Sequence, residues 1–423
     1  MRKLFFILLI CNMLFVNAQS LELENWKIIN SSELNAGSAE VSQLAYPTAG
    51  WYQATVPTTV LNALVKENVY PDPRIGLNYL IPDVSDEFNV RMDLSKYNYL
   101  KSGRNPWQDP YWYRTEVVLP KSYRGKKVWL ILNGINYRAD VWVNGRQVAD
   151  KKDIVGMFRR FKLDITGYAH AGANNCIAIK IYQVDHPGVP TPGTQLKVFG
   201  PVRGHSYDIF KDETLKISGG WDCAPVVRDR NMGIYQKVIV EATDEVLIEN
   251  PFVVTTLPKS TTMPMKVDTG LAKVNIKLEV RNTSAKLVEG KVNAWITLIN
   301  EVKFPTYTKH MEGYLKPIKL TKKVALRAGE RKVVELTPED FPSLLIENPY
   351  LWYPNGYGEQ YLHHMKLSFS IGGKVSDTKE FDFGIREVAS GLNRVGDECG
   401  RVYYVNGKRI FCKGGWIQPD ILL

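Results

Sequence analysis

Lys273-Val274-Asn275-Ile276-Lys277-Leu278-Glu279-Val280-Arg281 alternates a charged or amide side chain with an aliphatic one at every step. A period of two sends successive side chains to opposite faces of a strand, so Val274, Ile276, Leu278 and Val280 mark a dry face. The same beat recurs at Met365, Leu367, Phe369 and Ile371, where Gly372-Gly373 then supplies a hairpin turn, and at Ile177, Ile179 and Ile181. Val141-Trp142-Val143-Asn144-Gly145-Arg146-Gln147-Val148 reads as a hairpin, because Asn-Gly suits the left-handed positions of a type I′ turn. Tyr403-Tyr404-Val405-Asn406-Gly407-Lys408-Arg409-Ile410-Phe411 repeats that device. Only Thr58 to Asn68 has helical spacing, with Val60, Leu61, Leu64 and Val65 on one face. The chain is expected to be all-β.

At 423 residues it has room for two or three domains. Asn250-Pro251, after the strand ending near Glu241–Glu249, reads as the opening of a new segment. The Gly/Asp-rich stretch between Arg386 and Gly400 reads as a loop that opens another. The expected organisation is a signal peptide over 1–18, a jelly roll with long loops over 19–242, an immunoglobulin-like sandwich over 243–385, and a separate segment over 386–423. Residues 1–18 earn that reading from Arg2 and Lys3, the apolar run Leu4–Val16, and the small residue Ala18 before Gln19. The run falls short of the roughly 17–25 residues of a membrane helix, and no small residue precedes Cys11 to suit a lipid anchor. Release to the periplasm or the exterior is expected, with no membrane span after cleavage.

Lysine and arginine number 54 against 44 aspartates and glutamates, but the excess is spread along the chain, and no basic stripe of the kind nucleic acid requires is present. Cys176, Cys223, Cys399 and Cys412 fit no zinc spacing, and the histidines include no H-E-x-x-H, so no metal or cofactor is expected. The 10 Trp, 22 Tyr and 15 Phe have two uses, sandwich core or stacking on the C–H face of sugars.

Several further stretches form a set: Gly50-Trp51-Tyr52-Gln53-Ala54-Thr55-Val56-Pro57-Thr58-Thr59-Val60, Leu80-Ile81-Pro82-Asp83, Pro110-Tyr111-Trp112-Tyr113-Arg114-Thr115, and Asn133-Gly134-Ile135-Asn136-Tyr137-Arg138-Ala139-Asp140 running into the first Asn-Gly hairpin. Then come Trp221-Asp222-Cys223-Ala224-Pro225-Val226-Val227-Arg228-Asp229-Arg230-Asn231-Met232-Gly233-Ile234-Tyr235, Leu351-Trp352-Tyr353-Pro354-Asn355-Gly356-Tyr357-Gly358 and Phe383-Gly384-Ile385-Arg386-Glu387. In this order they together resemble glycoside hydrolase family 2, in the branch of exo-β-glucosaminidases, β-mannosidases and endo-β-mannosidases. The stretch from Trp221 to Tyr235 is the most specific of them.

The resemblance implies a jelly roll, a β-sandwich and a (β/α)8 barrel whose two glutamates serve as acid/base and nucleophile, with retention of configuration. Only the lead-in and first barrel strand, around Phe411–Leu423, are expected in this sequence, so it looks like the N-terminal part of an enzyme, with no catalytic residue of its own. Asn300-Glu301 imitates the family's acid/base dipeptide but sits at the end of a sandwich strand, and reads as a turn. By the resemblance, Asp222 reaches toward the barrel's pocket to hold the terminal sugar, with Trp221 as a stacking surface. Cys223 stands where relatives commonly carry a second tryptophan. Trp416 and Asp420 resemble residues at the barrel's entry strand, and Arg386 resembles a lock between sandwich and barrel. Asp222 paired with Arg228 or Arg230 to order its loop is the structural alternative. The partner class implied is a carbohydrate, hydrolysed by an exported glycoside hydrolase. The competing reading is a stand-alone carbohydrate-binding protein of two β-sandwich domains.

Overall fold

The computed structural model describes residues 20–75, 78, 106–187, 207–219, 227–259, 265–299 and 316–415. Strands dominate, and the described residues divide into two compact units, one ending at 242 and the other starting at 243.

The first unit is a jelly-roll sandwich. Its six-stranded sheet runs β3 (Tyr52–Thr55), β2 (Asn25–Asn30), β5 (Tyr111–Val118), β10 (Asn174–Tyr182), β7 (Arg138–Val143), β8 (Arg146–Ala149). The facing four-stranded sheet runs β1 (Ser20–Glu22), β12 (Val238–Thr243), β6 (Lys127–Leu132), β9 (Phe161–Asp164). Ile177, Ile179, Ile181, Val141, Val143 and Tyr113 on one sheet enclose a core with Leu130, Leu132, Val238 and Val240 on the other. The six-stranded sheet is buried on part of its second face too. There Ile29, Trp112, Cys176 and Ala178 pack under Val41 and Trp51 from the β2–β3 connection, which carries α1 (Ser38–Val41). This double burial gives Cys176-Ile177-Ala178-Ile179 its unbroken apolar character, and it pushes the Cys176 thiol up to about 12. Most tryptophans here are core: Trp26, Trp107, Trp112 and Trp129 are all buried.

The helix expected over 58–68 is α2 (Val60–Lys66), with Thr58–Thr59 drawn off as strand β4 against β11 (Gly233–Ile234). Thr59 caps it by accepting from Asn62 N–H at 3.1 Å.

The second unit is an immunoglobulin-like sandwich. One sheet orders β13 (Val246–Thr256), β14 (Leu271–Asn282) and β17 (Arg331–Leu336), with β18 (Leu345–Glu347) also on β14. The other orders β16 (Ile318–Leu326), β15 (Val288–Leu298), β19 (His363–Ile371) and β20 (Lys374–Phe383). Val274, Ile276, Leu278 and Val280 all face inward, as their alternation requires. Asn144 and Gly145, and again Asn406 and Gly407, all have positive φ, so both Asn-Gly pairs form the turns their chemistry predicts.

Two expectations are corrected. Asn250-Pro251 opens nothing: it lies inside β13 as an irregularity between Glu249 and Phe252, with Asn250 at φ 48°. A bulge of this kind accommodates a proline that a regular ladder excludes. The Gly/Asp-rich stretch before Gly400 is not a loop but β21 (Val388–Val395) and the start of β22 (Glu398–Val405), in a three-stranded ribbon whose third strand, β23 (Lys408–Ile410), pairs with β22. Its apolar residues do not collect on one buried face, and Val388, Leu392 and Tyr403 are exposed, so the strands lack the alternation that would announce them. Asn300-Glu301 and the barrel-like residues from Trp416 onward lie outside the described residues; Phe411–Gly415 is irregular.

His363 continues the inward series Met365, Leu367, Phe369, beside the Phe383 ring at 5.5 Å. Burial depresses its pKa from 6.5 to about 4. The neutral ring is favoured in the fold, so this stabilisation is complete above pH 6.5 and is lost as pH falls toward 4, by about 3 kcal/mol at most. In His363→Phe, denaturant unfolding of the second unit should lose that component of acid sensitivity; an unchanged pH slope between 6.5 and 4.5 would contradict it.

Candidate functional site

The most family-specific stretch of the sequence can be followed from Val227. Arg230 and Asn231 both adopt left-handed backbone, at φ 52° and 55°, a conformation that is costly for residues with a Cβ. Three side chains hold it. The Asp229 carboxylate accepts from Asn231 N–H at 3.0 Å and from Leu61 N–H, in the first turn of α2, at 3.3 Å. The Asn136 amide donates to the carbonyls of Arg230 at 2.8 Å and Asn231 at 3.0 Å, and its own oxygen accepts from Thr214 Oγ1 at 2.8 Å. The Arg230 guanidinium donates to three main-chain carbonyls, those of Pro187 at 2.5 Å, Val227 at 2.6 Å and Arg228 at 3.4 Å.

Gly233 closes the arrangement. A Cβ there would lie 2.7 Å from Thr59 Cα and 2.8 Å from Thr58 O, both backbone atoms, so only glycine lets the loop meet α2's approach strand. Asn136 and Gly233 exchange main-chain hydrogen bonds at 2.9 and 2.8 Å.

The same side chains fix the ends of neighbouring segments. Val227 N–H donates to Ser218 O at 2.9 Å, tying together the two ends of the segment that carries Trp221 and Asp222. Arg230 grips Pro187, where the proline-rich stretch beginning at Gly188 departs. Next to it, the buried Asp212 takes His186 N–H at 2.7 Å with one oxygen and meets the ring Nδ1 at 2.7 Å with the other. The Lys216 ammonium donates to the carbonyls of Ile209, Phe210 and Asp212.

Trp221, Asp222, Trp416 and Asp420 all lie outside the described residues, as do Cys223 and Asp83. What the structure shows is the frame at the base of the Trp221-Asp222 segment. The alternative pairing of Asp222 with Arg228 or Arg230 involves a residue outside the described ones. Arg386 stacks its guanidinium on Trp352, 4.5 Å from the ring centroid, within the second unit. Asp229 and Asp212 are not candidates from the sequence, and His186 reads there only as part of a rigid proline-rich loop; Asp229 belongs to the specific stretch, and only its burial distinguishes it from the other carboxylates. Among the described residues no group of His, Cys, Asp and Glu could hold a metal.

Residues 97–236 match the family model of the glycosyl hydrolase 2 galactose-binding domain-like module, and 259–386 match that of glycosyl hydrolases family 2. The chain carries two domains of glycoside hydrolase family 2. It is 30% identical over 400 residues to an exo-β-D-glucosaminidase of Amycolatopsis orientalis, covering 94% of this chain and 30% of that one. A mannosylglycoprotein endo-β-mannosidase of Lilium longiflorum is 29% identical over 405 residues, 94% of this chain and 37% of the relative. The solved structure of the Amycolatopsis orientalis exo-chitosanase superposes with a TM-score of 0.69 at 27% identity, over 95% of this chain and 38% of that one. The chain thus spans about a third of the length of these family 2 relatives, and its jelly roll and immunoglobulin-like sandwich are the domains they share.

Asp229 gives this frame a pH signature. Burial raises its pKa from 3.8 to about 6, against hydrogen bonds from Asn231 and Leu61 and the Arg230 charge. The folded state holds the proton more tightly than the unfolded one, so stability falls as pH rises from about 4 to about 6 and is level above, an effect of up to about 3 kcal/mol. Comparing urea unfolding of the wild type and Asp229→Asn across this range, the difference should shift against the wild type as pH rises. A constant difference would refute the burial-dominated carboxyl.

Proposed function

We propose that this chain is the sugar-recognising and scaffolding region of an exported glycoside hydrolase that acts on β-glucosaminides or β-mannosides. The observation that supports this best is the similarity itself: both family domains, in order, with 94% of the chain aligned to an exo-β-D-glucosaminidase. In this reading 1–18 is a signal peptide, 19–242 the jelly roll, 243–385 the immunoglobulin-like sandwich and 386–423 the approach to a catalytic barrel. Periplasmic or secreted placement follows from the leader. Among the described residues no helix is long and apolar enough to cross a membrane.

Hydrolysis with retention needs two carboxyl groups about 5–5.5 Å apart across the scissile bond. We assign that pair to the barrel and not to these two units. The contribution of the jelly roll is Asp222, whose carboxylate would accept from hydroxyls of the terminal sugar, with Trp221 beside it. Trp416 and Asp420 would border the same pocket from the barrel's entry strand. The Asp229–Asn136–Arg230 frame supports this role, because a ligand carried on a loop is useful only if the base of the loop is fixed.

The purified chain by itself should not turn over nitrophenyl β-glucosaminide or β-mannoside; turnover that disappears on replacing one of its own carboxylates would overturn the assignment. With the chain joined to a family 2 catalytic barrel, Asp222→Ala should lower kcat/KM by roughly 10- to 100-fold, as expected for a charge-assisted hydrogen bond worth about 1.5–3 kcal/mol. The melting temperature should hardly move. The opposite result, lower stability at unchanged kcat/KM, would make Asp222 a brace of its loop.

A further inference from the structure

The outer face of the second unit's β16-β15-β19-β20 sheet carries an arrangement that sandwich stability does not require. On it, Lys291 of β15 lies directly opposite Lys323 of β16 on one side and Ser370 of β19 on the other. Like charges at directly opposed positions repel and destabilise a sheet. On the same face Lys366, opposite Trp295, is compensated by Glu380 at 2.7 Å. Lys291 and Lys323 have no carboxylate within ion-pair distance among the described residues, although Glu289 lies near them. Both ammonium-bearing side chains border a groove of about 840 Å³ whose other walls include Glu289, Asn293, Ser370 and the Gly372-Gly373 turn.

The face continues along β15 with groups suited to hydroxyls and rings. Thr321 donates to Asn293 Oδ1 at 3.0 Å, and the Asn293 amide donates to Ser370 Oγ at 3.0 Å, forming a row of small polar groups across three strands. Two residues further, about 7 Å along the strand, Trp295 stands 43% exposed with the Lys319 ammonium 4.4 Å from its ring centroid. An exposed indole beside a row of hydroxyls and an amide, flanked by cations, offers stacking and hydrogen bonding to a sugar and charge to its carboxylate.

We infer that this face binds an acidic glycan segment, with a uronate carboxylate seated between Lys291 and Lys323 and a ring further along the segment on Trp295, about 13 Å away along β15. Charge complementarity selects the ligand: a carboxylate removes the repulsion that the bare sheet retains, whereas a neutral sugar does not. The inference concerns the second unit alone and does not depend on which sugar the proposed hydrolase cleaves.

The test uses the mature chain and calorimetric titration at 0.15 M salt with a tetrameric oligogalacturonide, a cello-oligosaccharide of the same length, free galacturonic acid and inorganic sulfate. The oligogalacturonide should bind saturably, and the neutral oligomer at least tenfold more weakly. Lys291→Gln/Lys323→Gln should weaken oligogalacturonide binding at least tenfold, and Trp295→Ala should weaken the oligomer more than the free acid. Lys323→Glu, which replaces the repulsion with a cross-strand ion pair, should abolish binding while raising the melting temperature. No saturable binding of the oligogalacturonide, or binding unchanged in the double variant, would overturn the proposal. Sulfate binding as tightly as the oligomer would reduce the site to a simple anion site and overturn it equally.

Discussion

A single buried carboxylate organises one end of the first unit. Asp229 receives two main-chain N–H groups, one from its own loop and one from the start of α2, and so fastens a left-handed turn to a helix more than 160 residues earlier in the chain. Remove that acceptor and Arg230 and Asn231 lose one reason to remain left-handed. Asn136 would then hold the turn from one side only. Pro187 and Ser218, the described ends of neighbouring segments, hang from this same turn through Arg230 and Val227. The glycine at 233 is the steric counterpart of this electrostatic anchor, because the loop can approach Thr58 and Thr59 only where no side chain intervenes.

The all-β class was legible because long sandwich strands with one wet face print a period of two, and β14 and β19 do so almost without exception. Legibility failed where that physical condition fails. β5 is buried on both faces over part of its length, so Tyr111-Trp112-Tyr113 runs together as one apolar block, whereas Ile177, Ile179 and Ile181 still mark β10 despite its double burial. The β21–β23 ribbon has no dry face, and so its strands resemble loop. Inside β13 the Asn-Pro pair imitates a boundary, because bulges and turns call for the same residues.

For the site, the motif identified the region but not its working parts. Val227 to Tyr235 is singled out by resemblance, yet nothing local separates Asp229, fully buried and with its pKa raised, from a surface aspartate. That distinction arises from burial, to which the start of α2, remote in sequence, contributes through Leu61 N–H at the Asp229 carboxylate. Asp212 is likewise an ordinary acidic residue until its two contacts with His186 are seen. Trp221, Asp222, Trp416 and Asp420 rest on the resemblance, and the structure contributes the frame at the base of the segment bearing the first two.

The β21–β23 ribbon has no core of its own, and a few polar contacts hold it. Asn406 exchanges hydrogen bonds with the Glu387 backbone and donates to Trp352 O, while Phe411 N–H reaches the Tyr357 hydroxyl at 2.7 Å. In evolutionary terms this concentrates constraint on a handful of positions. Most side chains of the ribbon are exposed to drift with little effect on the sandwich, but the Asn406 side chain meets two backbone groups at once, accepting from Glu387 N–H and donating to Trp352 O, at a left-handed corner that asparagine tolerates. Variation should therefore accumulate along the strands and halt at the corner, which makes the ribbon a permissive place for sequence change with a fixed point of departure for whatever follows Phe411.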